Sequence, residues 1–121
     1  MPRLIETSTR IRAAGTKEKL IDEYVGNVDT GTEGVNIAIM HSPVGWEEPG
    51  QCPDFDEYTI VLNGTLQITC QDDMMDVSEG QAIIVEANEW VQYSTPYEGG
   101  AEYVSICIPA FSPGTVHRDG E

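Results

Sequence analysis

Histidine is scarce in this chain, basic residues are missing from its middle, and no apolar run is long enough to cross a membrane. Each shortage excludes something. With only His41 and His117, one chain cannot assemble a site built on three imidazoles. The six Lys and Arg residues are Arg3, Arg10, Arg12, Lys17, Lys19 and Arg118, so residues 20–117 hold seventeen Asp and Glu and no base, within a net charge of -15. Such a surface repels phosphate backbones and anionic lipid head groups, which sets aside nucleic-acid and membrane partners. A pocket built from the middle of the chain lacks any guanidinium or ammonium to clamp an anion, so a neutral or cationic ligand is expected, a neutral or sugar-like one first, unless the basic N-terminal arm folds over it.

The N-terminal MPRLIETSTR lacks the apolar centre of a secretory signal, and the expected location is the cytoplasm. Cys52, Cys70 and Cys107 are odd in number and contain no CxxC pair. Reduced thiols, buried as small apolar groups, are expected rather than a disulfide framework.

What is present is a rhythm of short strands. VNIAIMHS (35–42), FDEYTIVL (55–62), TLQITC (65–70), QAIIVEA (81–87), EWVQYST (89–95) and AEYVSICI (101–108) are rich in β-branched and aromatic residues and separated by turn signals. The pattern predicts an all-β sandwich or barrel in one domain of 121 residues, with an arm over 1–34, the barrel over 35–110 and a tail over 111–121. Asn63-Gly64 predicts a two-residue type I′ hairpin. KEKLIDEYVG (17–26) spaces Leu20, Ile21 and Tyr24 on one face of a short helix stopped by Gly26, with an extended segment across the barrel as the alternative. Ser112-Pro113 reads as the start of a single helical turn reaching His117, and residues 118–121 as a frayed tail.

Glu57, followed six residues later by Gly64, resembles the end of the first sequence motif of the cupin superfamily, and GQAIIVEANEWVQY from Gly80 resembles the second. In that second stretch Glu86, Asn88 and Val91 stand at the positions of the family's proline, glycine and histidine. Asn88 can take the left-handed conformation that the glycine usually supplies. The flanks GWEEPGQCPDFDEY and ICIPAFSPGTVHRD look like small single-domain prokaryotic cupins, and DFDEYTIVLNGTL has a shorter likeness to the cupin of ethanolamine utilisation. The resemblance implies a jelly-roll β-barrel with a short N-terminal arm or helix, and a homodimer formed through strand edges and outer apolar residues. It also implies, in metal-dependent members, three imidazoles and one carboxylate. Here the first two histidine positions fall on Gln51 and Pro53, or on Gly50 and Cys52, and no standard metal site or other cofactor is expected.

Strand alternation places Glu57, Thr59 and Val61 on one face and Tyr58, Ile60 and Leu62 on the other. On the same inner face would lie Val91, Tyr93 and Thr95, with either Tyr103, Ser105 and Cys107 or their alternates. A carboxyl in so apolar a lumen has its pKa raised, which suits a general acid or base. Glu57 and Tyr93 are therefore the candidate catalytic pair; Gln51, Cys52, Thr59, Trp46, Trp90 and Tyr103 are candidate ligand contacts. Three functions follow: a binding protein for a small molecule, a metal-independent isomerase, epimerase or lyase, and an irregular metal site using Glu57 with Gln51 or Cys52 and His41. Asp54, Asp56, Glu86 and Glu89 read as a solvated rim.

Overall fold

In the computed structural model, which describes residues 1–121, β-branched and aromatic runs become nine strands and no helix forms. The strands are β1 (Thr9–Arg12), β2 (Leu20–Val25), β3 (Asn36–Ser42), β4 (Trp46–Glu47), β5 (Asp56–Cys70), β6 (Met74–Ser78), β7 (Ala82–Val85), β8 (Val91–Thr95) and β9 (Ala101–Ile108). All pairings are antiparallel. One sheet runs β1-β2-β3-β9-β5-β7; the other runs β6-β5-β8-β4. Strand β5 belongs to both, and its passage from one to the other closes a jelly-roll β-barrel.

That passage corrects the expected hairpin. Asn63-Gly64 lies inside β5, where the register against β9 slips by one residue between Val61 and Asn63. Only Gly64 takes a positive φ, 77°, and a Cβ there would sit 2.1 Å from the Gly100 carbonyl oxygen. The dipeptide is thus a bulge where two backbones meet, and the bend lets one strand serve two sheets.

Segment 17–26 takes the extended alternative rather than the helix. Residues Leu20–Val25 form β2, which pairs with β3 from Leu20 opposite His41 to Val25 opposite Ile37. Helical spacing of Leu20, Ile21 and Tyr24 is outweighed by the free edge of β3, which offers a whole strand of backbone partners. The tail is also tied down. Asp119 N donates to Gly50 O at 2.8 Å, Cys52 N to His117 O at 3.1 Å and Asp54 N to Thr115 O at 2.8 Å, while Val116 is buried against Phe55 and Cys107. Ser112 and Thr115 close a turn, but no helical turn reaches His117.

Alternation on β5, β8 and β9 runs as the pattern required: Thr59, Val61, Val91, Tyr93, Thr95, Tyr103, Ser105 and Cys107 are buried, and Tyr58, Ile60 and Leu62 are exposed. Asn88 takes φ 71°. The interior holds two apolar clusters, a large one containing Trp46, Val61, Leu66, Ile68, Tyr93 and Tyr103, and a small one of Phe55, Cys107 and Val116 with Phe111 against it. Between them lies a cavity.

Candidate functional site

The cavity has a volume of about 80 Å³. At roughly 10–15 Å³ for each water-sized centre, it admits five to eight waters or a molecule of about half a dozen non-hydrogen atoms. Its far wall is barrel: Glu57 on β5, Tyr93 on β8, and Tyr103, Ser105 and Cys107 on β9. Its near wall comes from the two ends of the chain. Residues 11–14, Lys19 and Ile21 arrive from the N-terminal segment, and Phe111 and Arg118 from the C-terminal one.

Lys19 precedes β2, and its side chain enters the barrel as the strand turns inward, leaving the residue 8% exposed. The Nζ stands 4.0 Å from the Trp46 ring centroid and 5.2 Å from that of Tyr103. Trp46 is fixed in turn by its Nε1–H, which donates to Ala14 O at 3.1 Å. None of the molecule's four ion pairs includes Lys19, so this buried cation has aromatic faces beside it but no carboxylate within 4.0 Å. Burial works against the ammonium, but Tyr103, Glu48 and Glu57 outweigh it and hold its pKa above the ordinary lysine value.

Glu57 accepts a hydrogen bond from Ser105 Oγ at 2.5 Å on Oε2, which leaves its second oxygen available. Burial raises its pKa, moderated by Ser105, by Lys19 and by the nearby Tyr93 hydroxyl. Although close enough to favour the ionised carboxylate, that hydroxyl closes no hydrogen bond of acceptable geometry and stays buried without a partner. Arg118 Nε, on the opposite wall, is buried and unsatisfied as well.

Glu48, like Lys19 and Arg118, is a cavity residue that sequence reasoning missed. It follows β4, beside the inward-facing Trp46, and burial lifts its pKa from 4.5 to about 7, with Lys19 and Arg118 pulling it down and Glu57 pushing it up. The signal was present in WEEPG: with Trp46 inward, two-residue periodicity sends Glu47 out and Glu48 in. A strand of two residues was too short to be noticed.

Of the expected ligand contacts, Gln51 and Tyr103 line the cavity. Thr59 is buried behind it in the sheet, opposite Ser105 and Ile83. Trp46 is fully buried in the core and reaches the site only through Lys19. Trp90 donates from Nε1 to Asp119 at 2.9 Å, and Cys52 from Sγ to Asn88 O at 3.4 Å, so both are occupied outside the cavity wall in holding loop and tail. His41 pairs with Glu102 on the outer face at 3.0 Å, and His117 with Asp54 at 2.8 Å. The irregular set of Cys52, His41 and Glu57 is not brought together. Nor does any group of three His, Cys, Asp or Glu converge elsewhere, and with Gln51, Pro53 and Val91 at the imidazole positions the donor set does not fit a transition metal.

No family model matches the chain. Among curated proteins, the endoribonuclease YbeY of Myxococcus xanthus is 39% identical over 101 residues, covering 84% of this chain; the match spans about a third, 34%, of that relative. Similar solved structures include a variant of Bacillus subtilis oxalate decarboxylase (TM-score 0.77, 16% identity, 95% of this chain and 31% of the other). A Thermotoga maritima protein described as an oxalate decarboxylase by prediction gives a TM-score of 0.73 at 14% identity, covering 90% of this chain and 99% of the other. The putative ethanolamine utilization protein Q of Salmonella typhimurium gives 0.66 at 18%, covering 78% and 72%. At such identities the likeness is one of fold.

Proposed function

We propose that this cupin-fold chain is a small-molecule-binding protein whose ligand occupies the cavity between the barrel and the chain ends. The observation that carries the reading is the pair of buried, unpartnered donors on opposite walls, Tyr93 Oη and Arg118 Nε. An unsatisfied buried polar group costs about 1–3 kcal/mol, and a ligand supplying acceptors recovers it. Glu57, Tyr93, Gln51 and Tyr103 are the contacts assigned to this role. Ligand-observed NMR with a set of polar fragments of up to six non-hydrogen atoms tests it. A fragment that binds wild type and loses affinity in Glu57→Gln and Tyr93→Phe, without turnover, is the expected result.

A second reading, favoured by Glu48, makes the site a metal-independent acid–base enzyme. A carboxyl titrating near 7 beside a second carboxyl whose pKa is also raised gives one group able to donate and another able to accept at neutral pH. Product formation that disappears in Glu57→Gln and Glu48→Gln would move the assignment from binding to an isomerase, epimerase or lyase.

The partly matching endoribonuclease bears on partners rather than on chemistry. With no base between residues 20 and 117, the barrel is ill suited to touch RNA itself. It is better suited to serve as a ligand-sensing unit that accompanies a larger protein. A cytoplasmic homodimer is the assembly we assign to it. Its support is the exposed apolar face of Tyr58, Ile60, Leu62, Ile84 and Ile108, on adjoining strands β5, β7 and β9.

A further inference from the structure

Three donors at the cavity stand without an acceptor in contact, although Glu48 and Glu57 face the same space. Lys19 is a buried cation without a carboxylate in contact, Arg118 Nε is a guanidinium donor without an acceptor, and Tyr93 is a hydroxyl without a partner. An organic cation would leave all three unanswered. A neutral polyol would accept hydrogen bonds but bring no charge to the ammonium, whose counter-charges, Glu48 and Glu57, lie beyond contact distance. A carboxylate answers the charge and offers two acceptor atoms.

The approach to the site carries the same sign. Outside the near wall lies a shallow groove that shares Arg12 and Lys19 with the cavity and is lined further by Arg10 and Lys17, with Glu18 as its single acid. Arg10 is partly neutralised by Asp22, at 2.7 Å. In a protein of net charge -15, four of its six basic residues border this one groove. A local concentration of positive charge against an acidic exterior steers anions to one entrance. The expectation of a neutral ligand rested on a pocket without bases, and the folded arm removes that premise.

With Oε2 held by Ser105, Glu57 has one oxygen for a ligand donor, and Glu48 faces the same space. Resting on the binding reading above, we infer that the ligand is a small carboxylate with a hydroxyl on the adjacent carbon. Its carboxylate meets Lys19, Arg118 and Tyr93, and its hydroxyl donates to the Glu57 side. Lys19 thereby fills the part of a bound cation.

The test uses the full chain with three probes of nearly equal size: glycolate, its neutral amide glycolamide, and the cation ethanolamine. Calorimetry and the 13C shift of [1-13C]glycolate report binding. Glycolate is expected at a Kd on the order of a millimolar or tighter, with glycolamide roughly 10- to 100-fold weaker and ethanolamine silent. Lys19→Met should abolish that preference, and should it fail to fold, the wild-type ranking of the three probes stands alone as the test. Glycolamide or ethanolamine binding as well as glycolate, or a folded Lys19→Met that keeps the preference, overturns the carboxylate inference while the cavity remains a ligand site. No binding by any probe, with the resonances of Tyr93 and Tyr103 unmoved, removes the ligand site itself and the inference with it.

Discussion

The middle of the chain and its two ends contribute opposite halves of one site. Strands β4, β5, β8 and β9, with the residue that follows β4, bring Glu48, Glu57, Tyr93 and Ser105, all acidic or hydroxylic; residues 11–21 and 109–121 bring Arg12, Lys19 and Arg118. Neither half encloses the cavity alone. A segregation of charge along the sequence, which looked like a surface property, is a division of labour inside the fold.

Trp46 joins the halves, and its removal is the severest way to break the comparison. It is buried in the large core cluster, anchors Ala14 and supports Lys19. Trp46→Ala is expected to cost about 3–5 kcal/mol in urea unfolding. An effect below 1 kcal/mol would mean that the arm does not sit there.

The carboxyls give the next largest effect, through pH. Glu48 has a folded pKa of about 7 against 4.5, so the folded state holds its proton more tightly than the unfolded one. Stability is therefore highest below 4.5 as far as this group is concerned, and falls as pH rises to about 7. A shift of that size corresponds to at most about 3 kcal/mol, and the water-accessible cavity should reduce it to roughly 1–2 kcal/mol. Glu48→Gln is expected to flatten the fall between those pH values, measured by denaturant titration. Because Lys19 lowers the pKa of both Glu48 and Glu57, Lys19→Met should push the fall in stability to higher pH. A fall that stays at the same pH would place the ammonium away from the acids.

Smaller still is the tail. Asp119→Ala removes the acceptor for Trp90 Nε1–H while keeping the backbone bridge, and should cost about 0.5–1.5 kcal/mol and speed amide exchange at residues 117–119. Unchanged exchange would show the tail to be held by its backbone alone. Smallest in stability, though decisive for assembly, is Ile84→Glu on the outer face, which should leave the fold intact and convert the proposed dimer to a monomer in light scattering.

The same two regions mark what could be read from the sequence. Alternation on β5, β8 and β9 carries its own structural meaning, since Thr59 and Val61 must share a face whatever lies around them. The shared inward face of Glu57 and Tyr93 was legible for that reason. Asn63-Gly64 was misread because a bulge and a hairpin use the same backbone freedom, and only the long-range partner, β9, tells them apart. Lys19 was invisible for a deeper reason. A lysine beside a strand with helical spacing looks solvated, and its burial depends on Trp46, Tyr103 and two glutamates distant in sequence.

The protein contains only two lysines, and that makes the central claim directly measurable. Limited acetylation with acetic anhydride, read residue by residue by mass spectrometry, compares exposed Lys17 with buried Lys19. Lys17 should react at least about 100-fold faster, since local opening sets the reactivity of a buried amine, and the difference should vanish in denaturant. Equal rates in the native protein would put Lys19 in solvent and leave the cavity without its cation.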